Sequence, residues 1–166
     1  MYGRSAEGYR RGVCKDYGLI LTSAEARAYR NAFFTIYPAI AAWHQDCQRK
    51  AKDPNNNQTR TIFGRRLVAQ RDDPWARFNL WTNYVVQGAC ADLLKAAMVK
   101  IASILPSDCH LVATVHDELI YDAPAAPAEE YRGMISLVME EVFSEIFGTA
   151  VPIVAEAKVC TNWAQK

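Results

Sequence analysis

Apolar and polar residues follow one another along this chain with two periods, near four and near two, and each change of period marks an element. From Ser5 to Asp16 the spacing predicts a helix with Gly18 as its stop. Thr22-Ser23-Ala24-Glu25 has the form of a capping box, whose hydroxyl and carboxylate satisfy each other's free N–H groups, and it opens a second helix to about Tyr37. Pro38 suits the first turn of a third helix through Ala51, because its missing N–H would have had no partner there. DPNNNQ at 53–58 is a loop, and QTRTIFGRRLVA after it reads as two short strands turning near Gly64.

From Pro74 to Leu105 no proline interrupts, and Leu80, Tyr84, Leu94, Met98 and Ile101 keep helical spacing. That predicts one long helix, bent at Gly88. In LVATVHDELIYDAP, apolar Leu111 to Val115 and mixed Leu119 to Ala123 flank a polar His116-Asp117-Glu118 centre, the pattern of two strands joined by a tight turn. A PAAP corner, a helix from about Ala128 to Phe147 stopped by Gly148, and a last strand at Ile153 to Val159 complete the series. Strand, strand, helix, strand predicts an α+β fold with a small antiparallel sheet backed by helices. No internal repeat and no low-complexity segment is present.

Composition bounds this picture. With 166 residues and 51% hydrophobic content the chain can bury a core as one domain or as two joined lobes. No apolar run approaches the ~18 to 20 residues of a spanning helix, and no leader pattern opens the sequence, so a cytoplasmic protein without a membrane partner is expected. Five cysteines without a CxxC pair suggest neither a disulfide framework nor a zinc knuckle. Charge is uneven: residues 1–100 hold 16 Lys and Arg against 8 Asp and Glu, whereas residues 101–166 hold 3 against 10. The first part is suited to a polyanion and the second gathers carboxylates, although two ordinary solvated faces would give the same count.

Several residue types carry candidate chemistry. Asp117, presented at a strand-turn-strand tip, is placed to hold a metal. Glu118 adjoins it, but neighbours on a strand face opposite ways, so the two alone do not make a bridging pair. Asn83 and Gln87 fall four apart on one helix face. Amide donors suit the minor groove, where every base pair offers an N3 or O2 acceptor. Arg60, Arg65, Arg66 and Arg71 cluster by the basic hairpin; they can contact phosphates, pair with Asp72 and Asp73, or close the joint between lobes. Tyr2 offers a stacking face and Gly3 a position without a side chain. His44 and Cys47 lack the third group that would aim a catalytic dyad, and Trp43, Trp75 and Trp81 are expected in packing.

Four local patterns occur in order: Tyr2-Gly3-Arg4-Ser5, then Thr61-Ile62-Phe63-Gly64-Arg65-Arg66, then Asn83 to Gly88 with Ala91-Asp92 and Lys95, then Val115-His116-Asp117-Glu118-Leu119. Together with Asn162-Trp163 they resemble the C-terminal part of the polymerase domain of family A DNA polymerases, the bacterial polymerase I type, over essentially the whole chain. The resemblance implies a partial right-hand fold, with a palm sheet backed by the long helix and helical hairpins from the fingers. Residues 1–73 would end the fingers with the basic hairpin, and residues 74–166 would form the palm with its catalytic hairpin.

The resemblance also implies partners and roles. These are a DNA primer-template, deoxynucleoside triphosphates and a two-metal magnesium site, with Asp117 as ligand and Glu118 and His116 in support. Gln87 and Asn83 would lie on the minor groove, Tyr2 and Gly3 would border the nascent base pair, and Arg65, Arg66 and Arg77 would contact DNA. Where the family often has an arginine four residues before the Asn, this chain has Asn79, with Arg77 two positions earlier. The family's second metal-binding aspartate and its triphosphate-binding Lys and Arg precede the Tyr-Gly motif, outside these 166 residues. An upstream polymerase segment is therefore expected to complete the site, and the chain alone is expected to be inactive. A binding module without chemistry and a small metal-dependent nuclease remain as alternatives; the nuclease leaves the Tyr-Gly and Asn83 to Gly88 patterns unexplained.

Overall fold

A computed structural model of the chain describes residues 4–148 and 152–165. The chain divides into two compact units, Met1–Gly88 and Ala89–Lys166. Tyr2 and Gly3 lie outside the described residues.

The first unit begins with three helices, and each starts and stops where its sequence signals stand. In α1 (Ala6–Tyr17) the Ser5 hydroxyl accepts from the Gly8 N–H, and Gly18 ends the helix in the left-handed conformation at φ 69°. In α2 (Ser23–Ile36) the Thr22 side chain accepts from the Glu25 N–H while Glu25 accepts from the Thr22 N–H, closing the capping box. Pro38 opens α3 (Pro38–Lys52). Two short strands follow, β1 (Gln58–Arg60) and β2 (Arg66–Val68), antiparallel, with Thr59 opposite Leu67 and Arg60 opposite Arg66. A hairpin this short is marginal in water unless another surface supports it.

The expected long helix is present with a different irregularity. It runs as α4 (Pro74–Asn79), a π-helical turn at Leu80–Tyr84, and α5 (Val85–Ile104). The departure from α geometry therefore falls at 80–84 instead of a bend at Gly88. Leu80 and Thr82, both fully buried, sit in the widened turn. The few apolar positions that mark this stretch do not reveal it, because a π turn shifts the rhythm by a single residue and both sides of it still fit α spacing. Cys47 and Ala51 of α3 pack with Phe78 and Trp81 to form this unit's core. Trp75, expected in packing, is 57% exposed and lies tilted against Phe78.

In the second unit β3 (His110–Val115) and β4 (Glu118–Asp122) form an antiparallel hairpin, with Val115 opposite Glu118 and a register shift between Leu111 and Ala113. Helix α6 (Ala128–Phe147) follows and Gly148 ends it. Ala97 and Ile101 of α5 meet Ile135, Val138 and Val142 of α6, with Leu119 and Tyr121 of β4 against them. The fold is α+β, and the hairpin is held on a two-helix layer. Completely buried Ile101 alone contributes about 1.5–3 kcal/mol of hydrophobic stabilisation.

The last expected strand does not form. Residues 152–160 have no ladder partner, and the Ala155 N–H donates to the Glu140 carboxylate of α6 at 3.0 Å instead. A strand exists only through its pairing, and this backbone is met by a side chain. Among the described residues the sheets are two separate hairpins. No described helix is long and apolar enough to cross a membrane.

His44, 5% exposed and set edge-on against Phe34, Trp43 and Phe78, has its pKa lowered first by burial and then by Arg30. A folded value below the ordinary 6.5 means that the unfolded chain takes up the proton first as pH falls. Stability should therefore be full above pH 6.5 and decline below it; chemical unfolding followed from pH 8 to 5 should show this loss, and His44→Leu should flatten it.

Candidate functional site

In the second unit the candidate residues stand at a turn. Val115 and Glu118 are opposite partners, so His116 and Asp117 alone connect the strands, and both are exposed. His116 has φ 56°, the one non-glycine residue with positive φ among the described residues. Such a conformation costs about 1–3 kcal/mol and persists where the surroundings over-determine it. Here the register of β3 with β4 and the packing of Leu119 and Tyr121 impose it. Neither the His116 nor the Asp117 side chain hydrogen-bonds to another described residue. Glu118 begins β4 and is half-buried.

Exposed carboxylate oxygens are the donors a hard cation takes, and magnesium is commonly held by one or two carboxylates with phosphate and water oxygens. Asp117, with Glu118 beside it, fits that partial donor set. Among the described residues no group of three or more His, Cys, Asp or Glu side chains converges so as to hold a metal ion.

In the first unit the candidate residues gather on the hairpin and the helix beside it. Gln87 is exposed on α5. Asn83 lies in the π turn, half-buried, its Oδ1 without a hydrogen-bond partner among the described residues. Four residues apart, the two are thus unequally accessible, which regular helical spacing does not anticipate. Arg60 and Arg66 face each other across the strands; Arg60 donates to the Gly64 carbonyl at 2.8 Å, and Arg66 makes no side-chain bond among the described residues. Like charges placed opposite one another destabilise a strand pair, so an anion at this spot would relieve the hairpin.

Arg65 behaves differently. Its Nη2 donates to the Gly88 carbonyl at 3.0 Å, and its backbone N–H donates to Thr61 Oγ1 at 3.1 Å. Thr61 is buried, and a role for it was not evident from sequence; the signal was its place at the start of the TIFGRR turn. Arg77 is 5% exposed: its Nε donates to the Ala51 carbonyl at 2.8 Å and its Nη1 pairs with Asp72. This guanidinium ties the end of α3 to α4 from the interior, and a side chain so enclosed is not presented to a ligand.

The model of DNA polymerase family A matches residues 1–165. The chain belongs to the family A DNA polymerases. It is 30% identical over 168 residues to DNA polymerase I of Aquifex aeolicus, covering 99% of this chain and 28% of that protein. With the thermostable DNA polymerase I of Thermus filiformis identity is 31% over 172 residues, covering 99% of this chain and 19% of that one. This family A chain thus spans about a quarter or less of these relatives. Its fold matches the polymerase domain of Pol1 from M. smegmatis, solved in complex with a DNA primer-template and dNTP, with TM-score 0.70 and 21% identity over 85% of this chain and 25% of the other.

Because Arg77 serves two acceptors from one planar group, Arg77→Ala should lower the unfolding free energy by about 1.5–3 kcal/mol in a urea titration. Arg77→Lys should recover little of it, since one ammonium cannot reproduce the guanidinium fork.

Proposed function

We propose that this chain is the C-terminal portion of the polymerase domain of a template-directed DNA polymerase, adding deoxynucleotides to a primer 3′ end once an upstream segment completes it. The observation that carries this reading, within family A membership, is the exposed Asp117 carboxylate held at the tip of a two-residue turn by a packed hairpin. On this reading residues 1–73 end the fingers and residues 74–166 make the palm.

Asp117, supported by Glu118, would hold magnesium, and a carboxylate outside these 166 residues would complete the pair. The chemistry that a bound magnesium pair supplies is activation of the primer hydroxyl and neutralisation of charge on the triphosphate. His116 lies beside Asp117 in the turn and donates to a sugar or phosphate oxygen of the primer terminus. Gln87 and Asn83 donate to the N3 and O2 acceptors common to all base pairs, so the enzyme senses pair shape without reading sequence. Arg60, Arg66 and Arg71 meet backbone phosphates, and Tyr2 with Gly3 borders the nascent pair. Arg77 is left out of the DNA-facing set because its guanidinium is enclosed.

A second reading, a module that grips primer-template without chemistry, draws on the like-charged Arg60 and Arg66 pair. Primer extension separates the two. With the upstream segment, magnesium and four nucleotides present, extension is expected, and Asp117→Ala should reduce it at least about a thousandfold. Undiminished extension in that variant would remove the metal assignment, and no extension by the completed protein would favour the binding module. The chain alone should not extend primers. Its affinity for primer-template should fall linearly in log Kd against log salt, since phosphate contacts supply most of it; affinity insensitive to salt between 50 and 200 mM, roughly the range over which such contacts are lost, would contradict this.

A further inference from the structure

We infer that Arg65 and Thr61, acting through Gly88, are positioning residues that fix the height at which Gln87 presents its amide, making hairpin and helix together a gauge of base-pair geometry. This rests on the minor-groove role proposed above for Gln87.

The contact is closed from several directions. A Cβ placed on buried Gly88 would lie 2.9 Å from Thr61 Cγ2, 3.2 Å from Leu67 Cδ1 and 3.4 Å from Arg65 Nη2. The first distance is shorter than real Cβ contacts, so only glycine allows the hairpin this close. Across the gap that glycine leaves, Arg65 Nη2 donates to the Gly88 carbonyl at 3.0 Å. A carbonyl oxygen has two lone pairs, so this bond adds to the helix ladder without replacing it. The other end of Arg65 is equally fixed. Its N–H donates to Thr61 Oγ1 at 3.1 Å, its carbonyl accepts from the Thr61 N–H at 2.9 Å, and the Thr61 carbonyl accepts from the Gly64 N–H at 2.9 Å.

Gln87 immediately precedes Gly88, and Arg66 immediately follows Arg65. The clamp therefore sets the spacing between an amide aimed at base edges and a cation aimed at the backbone. A binding constellation must be held to within about 0.5 Å, and a displacement of about 1 Å can cost a hundredfold. Arg65 on this account serves the helix and not a phosphate.

The experiment is primer extension by the chain completed with its upstream segment, on duplexes with a matched or a mismatched terminal pair. Gln87→Ala should lower the matched-to-mismatched rate ratio about tenfold, the loss of one good base-edge contact. Gly88→Ala should lower it similarly. Adding Thr61→Ser to Gly88→Ala should recover part of it, since serine deletes the offending Cγ2 and keeps the Oγ1 that Arg65 needs. Arg65→Gln should lower the ratio and leave the salt slope of binding unchanged.

If Gln87→Ala lowers the ratio while Gly88→Ala and Arg65→Gln do not, the positioning inference alone is overturned. If Arg65→Gln leaves the ratio intact and reduces the salt slope by about one, Arg65 is a phosphate contact and the inference is overturned. If Gln87→Ala leaves the ratio intact, the minor-groove reading fails and the inference falls with it. Should Gly88→Ala lose its cooperative unfolding transition, Arg65→Gln decides on its own.

Discussion

Where Gly88 lacks a side chain, a three-residue-strand hairpin lies directly against a helix, and Thr61, Arg65 and Leu67 take their places from that contact. The hairpin is too short to hold itself together in water. It gains a surface by setting Thr61 and Leu67 on the bare backbone, and a fixed direction through the Arg65 bond to the Gly88 carbonyl. Dispersion falls off steeply with distance, so the hairpin gains contacts here that a Cβ at position 88 would block. The repulsion between Arg60 and Arg66 is tolerated on top of this support.

The second unit solves a related problem by other means. Its turn carries two polar residues and no hydrogen bonds from their side chains to other described residues, so it must be stiff without being self-satisfied. Rigidity comes from below, where Ile101, Ile135, Val138 and Val142 form a dry layer on which Leu119 and Tyr121 rest. The left-handed backbone at His116 is the cost, and it leaves the neighbouring carboxylate exposed at the tip.

What could be read from the sequence was what is decided locally. The Thr22 and Glu25 box, Pro38, and the stops at Gly18 and Gly148 depend on a few adjacent residues, and each element boundary they mark is found within a residue or two. The order of the four motifs pointed to the family that the match over residues 1–165 identifies. What depends on distant partners was not legible. Ile153 to Val159 have the composition of a strand but meet Glu140 where a ladder would be. Arg77 has the composition of a surface cation, yet Ala51, 26 positions earlier, claims its Nε. Gly88 was legible as a glycine, and its role in admitting Thr61 was not.

The π turn at Leu80–Tyr84 bears on how such a chain can change length. It holds one residue more than a regular turn would, so the helix there already contains the equivalent of an absorbed insertion. A variant one residue shorter in this stretch could keep every backbone hydrogen bond by reverting to α geometry. The cost would stay local, because the widened turn takes up the extra residue itself: the helix beyond the deletion would keep its facing, and only side chains inside the turn, such as Leu80 and Thr82, would lose their places. Gaps, usually assigned to loops, thus have a second site available inside this helix, where the harm is confined to one turn and the continuity of the backbone survives.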